Sequence, residues 1–121
     1  MDKSTREELD EALQVVSSTI YKCEKAQLKF AEGTSQHTLL KNRIKAMYIS
    51  KSLISRENVT DKYAKEELID AIRPVSSIIS KCEKAKLKFT EGTSNHTRFN
   101  NIIRAMNISK SLITDEIYKR G

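Results

Sequence analysis

Residues 7–57 and 66–116 align without a gap at an offset of 59, and 33 of the 51 paired positions are identical. Lys22-Cys23-Glu24-Lys25-Ala26 returns as Lys81-Cys82-Glu83-Lys84-Ala85, and Glu32-Gly33-Thr34-Ser35 as Glu91-Gly92-Thr93-Ser94. A tandem copy this close must fold twice into the same unit, and it predicts a pseudo-twofold axis between the units. At 121 residues, each copy alone lies near the lower limit for an independent core, so the two are expected to share one interior.

The spacing of apolar residues specifies the unit. Leu9, Leu13, Val16, Ile20, Cys23, Gln27 and Phe30 follow at intervals of four and three, which places them on one helix face. Leu68, Ile72, Val75, Ile79, Cys82, Lys86 and Phe89 repeat the stripe. Ser4 precedes Glu7, and Thr5 precedes Glu8, by the three residues a capping box needs. Gly33 predicts that the first helix stops near Phe30–Glu32, because glycine suits the left-handed position past a C-terminus. Thr34 or Ser35 then caps the next helix.

The second helix carries Leu39, Leu40, Ile44, Ala46, Met47, Ile49, Leu53 and Ile54, with Ser50 at the middle of the arc. Ser109 holds that place in the other copy, and a serine there predicts a close helix–helix approach. Asn58–Asp61 reads as the link between copies, with Thr60 or Asp61 as the next cap. The repeats therefore span 4–58 and 61–118. Pro74 falls inside the third helix, where it removes a backbone donor. Either the helix bends there or a short helix over 61–72 precedes a new one, and the bend is the preferred reading.

Two helical hairpins with broad apolar faces predict an all-α, up-down-up-down four-helix bundle, 1–121 forming a single domain. A stacked pair of hairpins, or hairpins exchanged between two chains, is the alternative, so the chain is expected to be a monomer or a homodimer. No apolar run approaches the length of a membrane span, and the opening Met1-Asp2-Lys3-Ser4 has no apolar leader core. A cytoplasmic protein with no membrane partner is expected.

Charge is unevenly placed. The chain carries +6, while residues 22–45 and 81–104 each hold six basic and two acidic residues, so the remainder is −2. In the predicted bundle both Gly-Thr-Ser corners share one end, which becomes strongly basic. Helix-dipole compensation explains part of this. It does not explain Lys41, Lys45, Arg98 and Arg104, which are expected to put positive charge near helix N-termini, where it is unfavourable. The candidate anion- or partner-binding residues are Lys29, Thr34, Ser35, His37 and Lys41 in the first copy, and Lys88, Thr93, Ser94, His96 and Arg98 in the second. Ordinary helix capping accounts for the Thr-Ser pairs more simply than a phosphate site does.

Catalytic chemistry is not expected. Cys23 and Cys82 read as buried small residues at matching heights, which face each other if the axis runs along the bundle. His37 and His96 have no ligand partner at helical spacing, so no metal or other cofactor is expected. Ser17-Ser18 and Ser76-Ser77 have no histidine within a turn to activate them. Phe30 and Phe89 read as core residues, which leaves no stacking platform for bases. Arg43 is expected at the edge of the apolar face, paired with an acid such as Glu24. The leading expectation is a non-enzymatic module that binds a protein. The alternative is nucleic-acid or phosphate binding through the basic end.

Overall fold

The computed structural model describes residues 4–121; Met1–Lys3, on which the leader expectation rests, lie outside the described residues. Four helices follow in order: α1 (Arg6–Gln27), α2 (Ser35–Ile54), α3 (Lys65–Lys86) and α4 (Ser94–Lys119). They form the expected antiparallel four-helix bundle. α2 packs against α1 and α3, and α4 packs against α3 and α1. The bundle is not square. α2 and α4 also touch across the diagonal, whereas α1 and α3 make no close backbone approach.

Ser50 and Ser109 are fully buried, and each hydroxyl donates to the carbonyl four residues back, Ala46 and Ala105, at 2.8 and 2.9 Å. The hydroxyls are thus satisfied within their own helices. Met47, Ile49, Met106 and Ile113 are buried around them, each worth roughly 1.5–3 kcal/mol on removal from water.

The two hairpins meet reciprocally. A cleft between α2 and α3 is lined by Asn42, Lys45, Ala46, Ile49, Glu67 and neighbouring residues of α3. A cleft between α4 and α1 is lined by Asn101, Arg104, Ala105, Ile108, Glu8 and neighbours of α1, position for position the same set at the 59-residue offset. Equivalent positions of the two copies thus line the two clefts between the hairpins.

Helix starts obey local chemistry. Thr5 accepts from the Glu8 amide at 3.1 Å while Glu8 accepts from the Thr5 amide at 3.0 Å, closing the capping box. α3 starts later than Thr60 or Asp61 would allow. Asn58 accepts from the Thr60 amide at 3.0 Å, and Val59 is buried, so residues 58–63 are held as turns. Ala64 precedes the helix without a side-chain cap, and Glu67 accepts its amide at 2.8 Å. Beyond that start, α3 runs as one helix through Pro74, so the split into two helices does not occur.

Three expectations fail at the hairpin corners. α1 ends at Gln27 rather than near Phe30–Glu32, and α3 ends at Lys86. Gly33 and Gly92 are left-handed, at φ 93° and 91°, but they serve a second turn that delivers Thr34 and Thr93 as caps. Because the helices stop early, Phe30 and Phe89 fall outside them and are 39% and 37% exposed, not core. Leu39, counted in the apolar arc, is 48% exposed. In α3 the deeper residue is Ile78, not Ile79: position 78 replaces Thr19, and the larger apolar side chain takes the interior.

Candidate binding tip

Both corners lie at one end of the bundle. Cys23 in α1 and Cys82 in α3 are buried free thiols, and the single guanidinium of Arg43 in α2 acts on both. Burial pushes each thiol up, and Arg43 opposes it at each. Each thiol lies five residues before the leucine that ends its helix, Leu28 for α1 and Leu87 for α3. At the opposite end, Leu53, Arg56 and Glu57 of the α2 terminus share a cleft with Leu112, Asp115 and Glu116 of α4. The basic segments 22–45 and 81–104 therefore occupy a common pole.

The expected Arg43–Glu24 pair is absent. Glu24 instead accepts from the Tyr48 hydroxyl at 3.1 Å, which holds the phenol above its ordinary range. Arg43 Nε and Nη2 are buried with no hydrogen-bond partner. Its counterpart in the other copy is Ile102, packed against the core.

The corner residues divide by role. Thr34 Oγ1 accepts from the His37 amide at 3.3 Å and donates to the Ala31 carbonyl at 2.8 Å, and Thr93 repeats both bonds with His96 and Thr90. These hydroxyls are committed to the fold. His37 is further held by Gln27, whose amide donates to the His37 carbonyl at 3.4 Å, and the His96 ring lies 3.4 Å from the Asn100 amide. Ser35 and Ser94 are exposed first helical residues. Lys29, Lys41, Lys88 and Arg98 are exposed. No acidic residue lies in the first turn of α2 or α4, whereas α1 has Glu7 and Glu8 there, and α3 Glu66 and Glu67. The positive ends of α2 and α4 are thus left without the usual compensation.

Lys45 and Arg104 lie in the middle of α2 and α4 rather than near their N-termini, so the expected conflict with the dipole does not arise there, and Lys45 bridges Glu67 at 2.6 Å across the α2–α3 cleft. Arg104 lines the matching cleft. Arg98 remains at the tip, its guanidinium 5.2 Å over the Phe99 ring, and Phe99 stacks on Phe89 at 5.8 Å. The exposed cation is therefore seated on an aromatic pair rather than loose.

The residues sequence reasoning missed are Leu28 and Leu87. They are 86% and 83% exposed at the C-terminal caps of α1 and α3, each beside a lysine and two residues before a half-exposed phenylalanine. The signal was available. Neither leucine falls on the helical stripe, and both stand in an identical Leu-Lys-Phe triplet.

Among the described residues no group of three or more His, Cys, Asp or Glu side chains converges to hold a metal ion. No described helix is long and apolar enough to cross a membrane. Comparison of the chain with protein-family models, with curated proteins and with solved structures gives no match.

Proposed function

We propose that the chain is a non-catalytic binding module that engages a partner protein through its basic pole. One observation carries the reading: each corner presents a leucine almost wholly to solvent, in the same place in both copies, within a lysine-rich surface. A single exposed leucine is ordinary on a protein surface, so the support lies in its recurrence at both corners, each time two residues before a half-exposed phenylalanine. Protein partners cover apolar anchors inside a polar rim. A phosphate backbone rewards lysine and arginine but offers nothing to aliphatic leucine. Glu24, Glu32, Glu83 and Glu91 are interleaved with the cations and oppose a polyanion, so the nucleic-acid alternative has less support.

Site-specific photo-crosslinking in the source cells tests this. A photoreactive residue at position 28 or 87 is expected to trap the same protein. The same group at Ile69 or Tyr118, exposed apolar residues away from the tip, is expected to trap none. Equal trapping from all four positions, or adducts that nuclease digests, overturns the reading.

A further inference from the structure

Exchanges of exposed side chains seldom affect folding, so two copies of one unit are free to differ on their surfaces. Outside residues 22–38 and 81–97 they do differ: of ten aligned positions exposed in both copies, three are identical. Asp10 is Ile69 in the second copy, Gln14 is Arg73 and Tyr48 is Asn107. At the corners the pattern reverses, and ten of twelve such positions are identical. Leu39, which is Arg98 in the second copy, lies just beyond this retained patch.

Contacts within the chain do not account for the retention. Left-handed backbone favours glycine at 33 and 92. Lys25 lies 5.3 Å over the Tyr21 ring, but Tyr21 is Ser80 where Lys84 is retained. Glu24 accepts from Tyr48, but Tyr48 is Asn107 where Glu83 is retained. Leu28 and Leu87 are exposed at the helix ends, outside the core. Each corner thus keeps an outward face, and it is the same face twice.

Resting on the protein-binding reading above, we infer that the tip docks onto a symmetric homodimer, one chain seated over the dimer's twofold axis with each corner meeting one protomer. Helices of a bundle lie about 8–10 Å apart, whereas an ordinary partner covers about 800 Å² of surface. Both corners therefore fall under one footprint. Two like surfaces under one footprint are what a dimer offers across its axis, and a twofold axis is the commonest symmetry of soluble assemblies. An asymmetric partner would meet the corners with unlike surfaces and give them no reason to stay alike. Each protomer supplies a hollow for leucine with carboxylates around it, because neither α2 nor α4 has a carboxylate in its first turn to neutralise the pole. A second copy of this chain is disfavoured, since its tip is equally basic. An anionic lipid surface is disfavoured by the carboxylates of Glu24 and Glu32, retained as Glu83 and Glu91.

The test uses the full chain in its source cells, with a photoreactive residue at 28, at 87 or at both, and mass mapping of the trapped partner residue. Each single position is expected to trap the same residue of the same protein. The doubly substituted chain is expected to yield an adduct holding two protomers of it. Leu28→Asp alters one exposed side chain, and helical circular dichroism checks that the fold is kept. It is expected to lower trapping from position 87 at least about tenfold, because two half-sites on one body bind as a unit. Leu87→Asp is expected to do the same to trapping from position 28.

Different partner residues trapped from 28 and 87, adducts with one protomer only, or corner variants that leave each other's trapping unchanged overturn the inference. A protein is still trapped in those cases, so the binding-module reading stands without the symmetric partner. Lipid adducts, nucleic-acid adducts or no adduct overturn both.

Discussion

Arg43 is the residue at which the two copies disagree most consequentially. Two of its nitrogens are buried without partners, and a buried unsatisfied charged group typically costs about 1–3 kcal/mol or more. Arg43→Ile, which copies Ile102, is therefore expected to raise stability by about 1–3 kcal/mol in a denaturant titration. The same change removes a cation that opposes the effect of burial at both thiols, with Arg98 still acting on Cys82, so Cys23 and Cys82 should deprotonate at still higher pH. The sign of the linkage follows. A thiol whose folded pKa is raised stabilises the fold fully below the ordinary thiol range, and that contribution is lost as pH rises through the raised value. The variant should thus lose more stability than the wild type as pH climbs past that range, with thiolate absorbance reporting the titration.

At the scale of helices, Pro74 gives the cleanest comparison, because Val15 occupies the equivalent place in α1. α3 runs continuously through Pro74 although the ring removes one backbone donor. Pro74→Val should restore the hydrogen bond and stabilise the protein by about 1–3 kcal/mol, less than the full proline penalty because α3 has adapted to the ring. Thermal unfolding of that variant checks it, and an unchanged or lower Tm would show that the ring's packing beside Ala71 outweighs the missing bond.

Much of the element pattern was legible in the sequence, for physical reasons. Stripes at alternating three and four, Thr5 with Glu8, and the Gly-Thr-Ser corners each express a local rule. Helix ends were not legible where tertiary packing decided them. The left-handed glycine at 33 implied a single turn, and the chain uses two, which turned Phe30 and Phe89 outward. The start of α3 was misplaced because Val59 is drawn into the interior, a contact no local propensity encodes. For the tip, the basic pole was readable from charge. The exposed leucines were not recognised, because leucine was read by type rather than by its place off the stripe.

On the scale of the whole molecule, equivalent positions of the two hairpins line the clefts between them. Lys65 Nζ donates to the Gly121 carbonyl at 2.8 Å, and Arg120 donates to the carbonyls of Val59 and Tyr63, so the chain's end is tied to the start of α3. α2 and α4 finish beside each other at this end, so α4 stands to α1 as α2 does to α3. A circular permutant opened between Arg56 and Glu57, with Gly121 joined to Ser4 by a linker as long as Ser55–Ala64, is expected to fold. Arg56 is a suitable place to cut, being exposed and the one described non-glycine residue at positive φ, 60°. Helical circular dichroism with a cooperative melt and unchanged mass in light scattering would bear this out. A permutant that only aggregates would show that the α2–α3 connection sets the pairing.

Fusion of two like halves also removes a restriction that a symmetric pair of separate chains must obey. Were the hairpins separate identical polypeptides, an arginine at position 43 would be accompanied by its twin, and the number of buried guanidinium nitrogens without partners would double. In a single polypeptide one half carries the cation while the other keeps isoleucine. Joining the halves thus permits a half-buried cation in one copy where the other keeps an apolar side chain, a state closed to any symmetric homodimer of the unit.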